Sequence, residues 1–230
     1  MTLSAPETGI PAAGNPAIRI IRALFHAAFH LLYHQMAFAY DAVAWVVSAG
    51  EWADWRRCVL PRLKAGSVLE IAHGTGMLSL DLTEAGHPVT ALDLSPAMSR
   101  IAARKRLHWE RNRNTQSGPR LLRADTLQLP FPSAAFDNVV CTFPAEFILK
   151  RRVLTEIGRC LKPGGRFVVI PSALPEWLAA GSALFADDQS AAEIRSRLLQ
   201  PILPLGFQTR MEIIRRPRSR VWIIVAEKPV

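Results

Sequence analysis

Cysteine is scarce in this chain of 230 residues. The three cysteines, Cys58, Cys141 and Cys160, lie far apart, and no two of them form a Cys-x-x-Cys pair. That spacing argues against a disulfide framework and against a structural zinc site. We therefore expect a reducing, cytoplasmic setting for the protein.

Basic residues near the N-terminus and long apolar segments are also lacking. The first 15 residues contain no lysine or arginine, unlike a secretory signal peptide. The longest uncharged run, Ala23–Tyr40, has 18 residues and includes three histidines. Because a membrane-spanning helix needs about 20 predominantly apolar residues, the sequence predicts no such helix.

Acidic residues are outnumbered by basic ones, 19 against 28, which gives a formal net charge of +9 at pH 7. The excess is concentrated in two segments. Arg100–Arg123 contains eight basic residues and one acid, and Arg210–Arg220 contains five and one. Such a balance bears on binding partners and not on the fold. Three interpretations of the first segment stay open: a solvated helix face, a nucleic-acid surface, or a surface for anionic lipid.

The residues around these segments bear on that choice. Nucleic-acid binding uses basic residues mixed with exposed aromatic ones, and only Trp109 is interleaved in the first segment, so a nucleic-acid partner is disfavoured. The uncharged run Ala23–Tyr40, with Arg19 and Arg22 before it, is compatible with peripheral contact with an anionic membrane. The three histidines of that run, His26, His30 and His34, share one helical face. We interpret them as a polar stripe and predict no metal site.

The pattern of apolar residues changes near residue 66. Before it, prolines and glycines over residues 1–16 predict a flexible leader, and helical patterns over residues 18–48 and 52–60 complete a cap over residues 1–65. After it, short apolar strands alternate with helices. This alternation predicts a Rossmann-like, doubly wound α/β domain over residues 66–230. Its seven-stranded sheet is expected to be mostly parallel, with an antiparallel hairpin at the C-terminal edge.

Seven strands and four helices are predicted in the second domain. The strands span residues 67–72, 88–93, 121–125, 136–142, 166–170, 206–214 and 221–226. The helices span residues 77–85, 97–110, 149–161 and 189–199.

A glycine turn follows the first predicted strand, in the stretch Val68–Gly76 (VLEIAHGTG). A strand, a glycine turn and a helix form a cradle for nucleotide-like ligands. Ser79 stands where the dinucleotide fingerprint has its third glycine, and a P-loop lysine is lacking. The stretch resembles motif I of the class I S-adenosylmethionine-dependent methyltransferases, an acid followed by alternating glycines, with Ala72 at the first glycine position.

The resemblance continues along the chain as far as Ile170. Residues 129–132 (LPFP) with Phe136 and Asp137 resemble one family stretch, and residues 161–165 (LKPGG) resemble the turn before the fifth strand. The branch that the chain resembles is the methyltransferase 11 type, with the ubiquinone and menaquinone C-methyltransferases. It implies S-adenosyl-L-methionine as methyl donor, S-adenosyl-L-homocysteine as product, and a small, hydrophobic or lipid-like acceptor.

The resemblance also implies which residues hold the cofactor. Glu70 would meet its ammonium group, and Asp93 would accept hydrogen bonds from the ribose hydroxyls. Asp125 would meet the adenine edge, and Tyr40 matches an aromatic residue that closes over the cofactor. The other cofactor-binding positions are Ala72, His73, Gly74, Gly76, Leu94, Thr126 and Thr142.

Recognition of the acceptor is expected directly after the fourth strand. Nucleic-acid amino-methyltransferases carry Asp/Asn-Pro-Pro-aromatic there, whereas residues 142–145 of this chain read TFPA, which favours a small-molecule acceptor. Glu146 is the candidate general base or substrate anchor. The alternative is that Glu146 caps the following helix or pairs with Lys150.

Two further questions stay open at this stage. Trp45, Trp52 and Trp55 either line the acceptor site or pack the cap on the sheet. A nucleic-acid methyltransferase and a cofactor-binding partner protein without catalysis are the alternative functions.

Overall fold

The computed structural model describes residues 40–144, 146–175, 196 and 199–230, without the side chains of Glu146 and Leu174. Within these ranges the strands are β1 (Val68–Ile71), β2 (Val89–Asp93), β3 (Arg120–Arg123), β4 (Phe136–Thr142), β5 (Leu161–Pro175), β6 (Gln208–Arg215) and β7 (Ser219–Glu227). The α-helices are α1 (Tyr40–Val47), α2 (Trp52–Arg57), α3 (Met77–Glu84), α4 (Pro96–Arg113) and α5 (Arg151–Cys160). Short 3₁₀ turns lie at Leu60–Arg62, Glu146–Leu149 and Leu203–Leu205.

The seven strands form one sheet in the order β3-β2-β1-β4-β5-β7-β6. Strands β1 to β5 pair in parallel. Strand β7 is antiparallel to both of its neighbours, β5 and β6, so β6 runs in the same direction as β1 to β5. The predicted fold class is confirmed. Within the hairpin, the second strand, β7, lies next to β5, and β6 is the outermost strand on that side of the sheet.

Strand β5 is longer than the sequence predicts. The apolar run indicated residues 166–170, but Leu161 already pairs with Phe136, and pairing resumes at Arg166 after an irregularity. At the other end, residues 172–175 pair with β7. The extension comes from the neighbouring strands, which the local apolar pattern does not reveal.

The sheet is covered on both faces, as expected for parallel strands connected by helices. One face packs against α5, in a core that includes Leu69, Val139, Phe167 and Ile157. The other face packs against α2 and α3, in a core that includes Val68, Val140, Trp55 and Leu78. Successive strand residues point to opposite faces, which separates the two cores.

The described part of the predicted cap, residues 40–65, packs on the sheet domain. Asp81 of α3 accepts a hydrogen bond from Arg56 Nε at 2.6 Å, and both side chains are buried. Trp55 Nε1 donates to Ser219 Oγ at 2.7 Å, which ties α2 to the start of β7. These contacts hold α2 over one end of the sheet.

Several predicted features fall outside the described residues. They are the leader, the cap helix before residue 40 with its three histidines, and most of the helix expected over residues 189–199. In the ranges that the structure does describe, no helix is long and apolar enough to span a bilayer.

Candidate active site

The carboxyl ends of the parallel strands form one edge of the sheet, here called the carboxyl edge. The opposite edge, where β1 to β5 begin, is called the amino edge. Strands β2, β1 and β4 are neighbours and end at Asp93, Ile71 and Thr142. Open α/β sheets bind ligands outside the carboxyl ends of their strands, so the residues that follow these ends define the candidate site.

The loop from β1 to α3 carries three left-handed residues at alternate positions. The φ angles are 57° at Ala72, 54° at Gly74 and 79° at Gly76. A Cβ at Gly76 would come within 2.8 Å of the Ala102 Cβ, so only glycine allows this loop to pack on α4. A Cβ at Gly74 would meet no atom of the described residues within 4 Å, so among them the backbone faces open space that a ligand can approach. Ala72 adopts the same conformation at a cost of roughly 1 kcal/mol.

Asp93 connects this loop to the end of β2. Its Oδ2 accepts a hydrogen bond from the Gly74 N–H at 2.8 Å, and its Oδ1 accepts one from the Ser95 N–H at 2.8 Å. The carboxylate is buried. Asp93 therefore fixes the glycine turn from the end of the neighbouring strand.

Glu70 is a buried carboxyl group on β1. Ser79 Oγ, in the first turn of α3, donates a hydrogen bond to Glu70 Oε2. Burial raises the pKa of Glu70 to about 8, and the negative charges of Asp93 and Asp81 act in the same direction. In the sequence, Ser79 occupies the position where the dinucleotide fingerprint has its third glycine. No local pattern indicates that it contacts Glu70. A cationic ligand group would restore the charge on this carboxyl.

His73 is buried in the same loop. Its Nδ1 lies 2.9 Å from the Gly74 carbonyl oxygen, which places the ring proton on Nδ1. Its Nε2 is buried and has no hydrogen-bond partner in the structure. Burial lowers the pKa of His73, so the ring is neutral at pH 7.

Helix α1 lies over the glycine turn and is held there by Asp41. Its Oδ1 accepts a hydrogen bond from Thr75 Oγ1 at 2.7 Å, and its Oδ2 forms an ion pair with Lys105 of α4. Burial raises the pKa of Tyr40 to about 12, with the charges of Asp41 and Asp93 as further causes, so Tyr40 stays a neutral phenol. The hydrogen bond of Asp41 with Thr75 and its ion pair with Lys105 are here called the clasp. The sequence does not reveal the clasp, because its three residues lie on three separate segments.

Phe143, directly after β4, is the second strained position at this edge. Its φ is 51°, which is unfavourable for a bulky residue. The conformation is held by the Phe143 N–H, which donates to the Ile170 carbonyl at 2.8 Å. The ring stacks on Trp52 of α2 with 4.4 Å between centroids. Strained residues of this kind cluster at functional sites.

The three candidate tryptophans have different positions. Trp55 is 2% exposed, and its indole donates to Ser219, so it is a packing residue and not a lining residue. Trp45 is 64% exposed on α1. Trp52, between Tyr40 and Phe143, is the tryptophan that contacts the candidate site.

The remaining predicted positions are less closely assembled. Asp125 is exposed beyond β3, and its Oδ1 accepts a hydrogen bond from the Leu127 N–H at 2.9 Å. Leu94 is 60% exposed. Thr126 and Thr142 are half-buried at the same edge. Glu146 lies in a 3₁₀ turn, and its side chain is outside the description.

A second cleft, with a volume of about 1110 Å³, lies toward the amino edge between α3, α4 and β3. Thr83, His87, Trp109 and Arg120 are among its lining residues. None of its lining residues belongs to the loop after β1. We therefore place the candidate site at the carboxyl edge, where left-handed Ala72 and Phe143 lie near the buried carboxyl groups of Glu70 and Asp93.

Residues 69–169 match the family model described as a methyltransferase domain. The demethylmenaquinone methyltransferase of Tropheryma whipplei is 32% identical over 165 residues, which are 70% of this chain and 66% of that protein. The chain thus spans slightly under two thirds of the length of this relative. Residues 69–169 of the chain are therefore similar to the methyltransferase domain family, and the predicted resemblance is confirmed.

Solved structures agree on the fold. A protein from Methanococcus maripaludis assigned to the S-adenosyl-L-methionine-dependent methyltransferases superposes with a TM-score of 0.57 at 20% identity, covering 84% of this chain and 93% of that one. The geranyl diphosphate C-methyltransferase of Streptomyces coelicolor, solved with S-adenosyl-L-homocysteine, has a TM-score of 0.57 at 15% identity, covering 76% and 79%. At these identities the two structures show that the chain shares their Rossmann-like fold.

Proposed function

We propose that the protein transfers the methyl group of S-adenosyl-L-methionine to a small, apolar acceptor at the carboxyl edge. The observation that supports it best is the pairing of Asp93 with Gly74. This hydrogen bond places a buried carboxylate beside bare backbone that faces open space. Dinucleotide folds use the same combination to bind a ribose and the groups attached to it.

The residues present fit this cofactor. Asp93 would accept from the ribose hydroxyls. Glu70 lies one strand away, and among the described residues its carboxyl has no cationic partner at hydrogen-bond distance. Asp125 and Thr126 would meet the adenine edge, and Tyr40 on α1 would cover the ligand. When bound, the cofactor supplies a methyl group on a sulfonium, so the main task of the protein is to align the acceptor.

An apolar acceptor is supported by the other side of the site. Phe143 and Trp52 present a stacked pair of aromatic rings next to the end of β4. The curated relative from Tropheryma whipplei is named for an acceptor with a quinone ring. We extend that to this chain as a ring-bearing, lipid-like acceptor. Glu146 would serve as base where the acceptor loses a proton.

Calorimetry and an acceptor screen test the proposal together. S-adenosylmethionine should bind the purified protein, and S-adenosylhomocysteine should accumulate when a reduced quinone or phenol with a short prenyl tail is added. Absence of cofactor binding would overturn the proposal. Binding without product from ring-bearing or other small acceptors would point to the cofactor-binding partner protein. Product formed only with RNA would point to the nucleic-acid methyltransferase.

A further inference from the structure

The fold collects exposed basic residues from separate parts of the sequence at the carboxyl edge. Helices α4 and α5 begin at this edge, and β6 ends there, because β6 runs parallel to β1 to β5. Six exposed basic residues in or directly next to these segments are here called the basic rim: Arg100, Arg104, Lys150, Arg151, Arg215 and Arg218. They come from both faces of the sheet, so positive charge surrounds the candidate site.

The rim residues differ in their partners from three basic residues of the amino edge. No rim side chain forms an ion pair with a residue that the structure describes. At the amino edge, Lys64 and Arg166 both pair with Glu227, and Lys162 pairs with Asp137. The charge of the rim is therefore free to attract an anionic partner.

Acidic residues do little to offset the rim. Asp41 and Asp54 pair with Lys105 and Arg216. In the described part of this edge, Asp125 is the acidic residue that is exposed, and it accepts a backbone hydrogen bond. The exposed charge of the described carboxyl edge is thus strongly positive.

Exposed apolar side chains lie at the same edge. On α1, Val46 is 67% exposed and Trp45 is 64% exposed, with Val43 and Val47 also exposed. The clasp holds α1 at this edge, next to the glycine turn. Leu94, at the end of β2, adds a further exposed apolar side chain.

We propose that the carboxyl edge docks on an anionic lipid surface, with the basic rim on the headgroups and the apolar side of α1 in the interface. Aliphatic side chains and a tryptophan flanked by basic residues are the composition that interfacial helices use. Single-stranded RNA binds to a series of exposed aromatic rings. Among the described residues of this edge, Trp45 is the strongly exposed aromatic side chain, so a lipid surface fits better. Docking does not depend on the proposed function. If both hold, the acceptor enters from the bilayer.

Vesicle sedimentation of the full chain tests the proposal. The probes are phosphatidylcholine vesicles with and without 30 mol% phosphatidylglycerol. Arg100→Gln/Arg104→Gln should weaken partitioning onto the anionic vesicles on the order of 30-fold. The control Arg111→Gln/Arg120→Gln removes the same charge from exposed positions toward the amino edge and should change partitioning far less. Trp45→Ser should weaken binding to anionic vesicles, and unchanged melting temperatures exclude misfolding.

The outcomes separate the possible partners. Equal loss in the rim and control variants, or binding that ignores anionic lipid, would overturn the proposal. Tighter binding to a fluorescent single-stranded RNA than to vesicles, lost in the rim variant, would overturn it in favour of nucleic acid. Calorimetry with S-adenosylmethionine on the wild-type protein reports separately on the proposed function, because no rim residue is among the proposed cofactor contacts.

Discussion

The two edges of the sheet use charged residues in opposite ways. At the amino edge, Asp137 accepts hydrogen bonds from Lys162 Nζ at 2.9 Å and from the Ser67 N–H at 2.9 Å, and Lys64 Nζ lies 2.8 Å from Glu227. At the carboxyl edge, Glu70 is buried with a hydroxyl group as its hydrogen-bond donor, although the nearby charge of Arg56 partly offsets its burial.

The edges also differ in where left-handed residues lie. Ala72 and Phe143 directly follow strand ends at the carboxyl edge, whereas Asn114 and Ala134, toward the amino edge, lie in the loops that precede β3 and β4. Buried carboxyl groups are costly unless a ligand or partner uses them. The comparison indicates that the amino edge stabilises the domain, whereas the carboxyl edge is arranged for binding at some cost in stability.

The largest expected effect concerns the pH dependence of stability. The folded protein holds a proton on Glu70 up to about pH 8, whereas an ordinary glutamate has a pKa of 4.5, so stability falls as pH rises across this window. At 1.36 kcal/mol per unit the full loss is up to about 5 kcal/mol. Glu70→Gln should therefore be more stable than the wild type at pH 8.5 and similar to it at pH 4.5, measured by urea unfolding.

Glu227 at the amino edge should change stability with pH in the opposite direction. Hydrogen bonds from Lys64 and Arg166 lower its pKa, so its contribution is present at pH 7 and is lost as pH falls through the folded pKa. Glu227→Gln should be less stable than the wild type at pH 7, and the difference should shrink as pH falls through the folded pKa of Glu227. The same pH profile for both variants would contradict the comparison of the two edges.

Asp93→Ala is expected to weaken S-adenosylmethionine binding about 10- to 150-fold. A hydrogen bond to a charged group contributes roughly 1.5–3 kcal/mol, and the Gly74 N–H also loses its acceptor. Asp137→Ala is the matched control at the amino edge: it should lower the melting temperature and leave the affinity of the folded protein unchanged. Calorimetry measures the affinity of both variants for S-adenosylmethionine. Unaltered affinity in folded Asp93→Ala would show that Asp93 does not bind the cofactor.

Ala72→Gly should increase cofactor affinity severalfold, by about 1 kcal/mol or less. Glycine relieves the left-handed strain and lets the ligand approach the backbone more closely. Ala134→Gly makes the same change at a φ of 53° in the loop before β4, toward the amino edge. Both variants should change stability little, and only Ala72→Gly should change the binding constant.

Breaking the clasp should have the smallest effect. Lys105→Met removes a partly exposed ion pair worth about 0.2–1 kcal/mol, so cofactor dissociation should accelerate up to about fivefold in stopped-flow measurements. Arg113→Met removes a comparable pair with Glu84 at the other end of α4. An equal change in both variants would show that α1 does not retain the ligand.

The sequence predicts the elements better than their long-range contacts. The strands from β1 to β4 and helices α3 to α5 follow from local apolar patterns, and the glycine turn follows from its motif. The insertion of β7 between β5 and β6 depends on pairing between distant strands. The basic rim was missed for the same reason, because its members belong to three separate segments that only the topology brings to one edge.

Within the site, the sequence reveals chemical types and not their environment. It shows that Glu70 and Asp93 are acids at strand ends, but not that Ser79 donates to one and Gly74 to the other. The left-handed conformation of Phe143 depends on the Ile170 carbonyl of the neighbouring strand. Such features become visible only when the strands are aligned.

Hydrogen exchange with and without S-adenosylhomocysteine would show where the methyl donor binds. If it binds at the carboxyl edge, amide exchange should slow over residues 72–76 and 93–95 and stay unchanged over residues 115–120 of the amino-edge cleft. Protection confined to residues 83–90 and 115–120 would contradict this placement, since the ligand would then occupy the opposite end of the sheet.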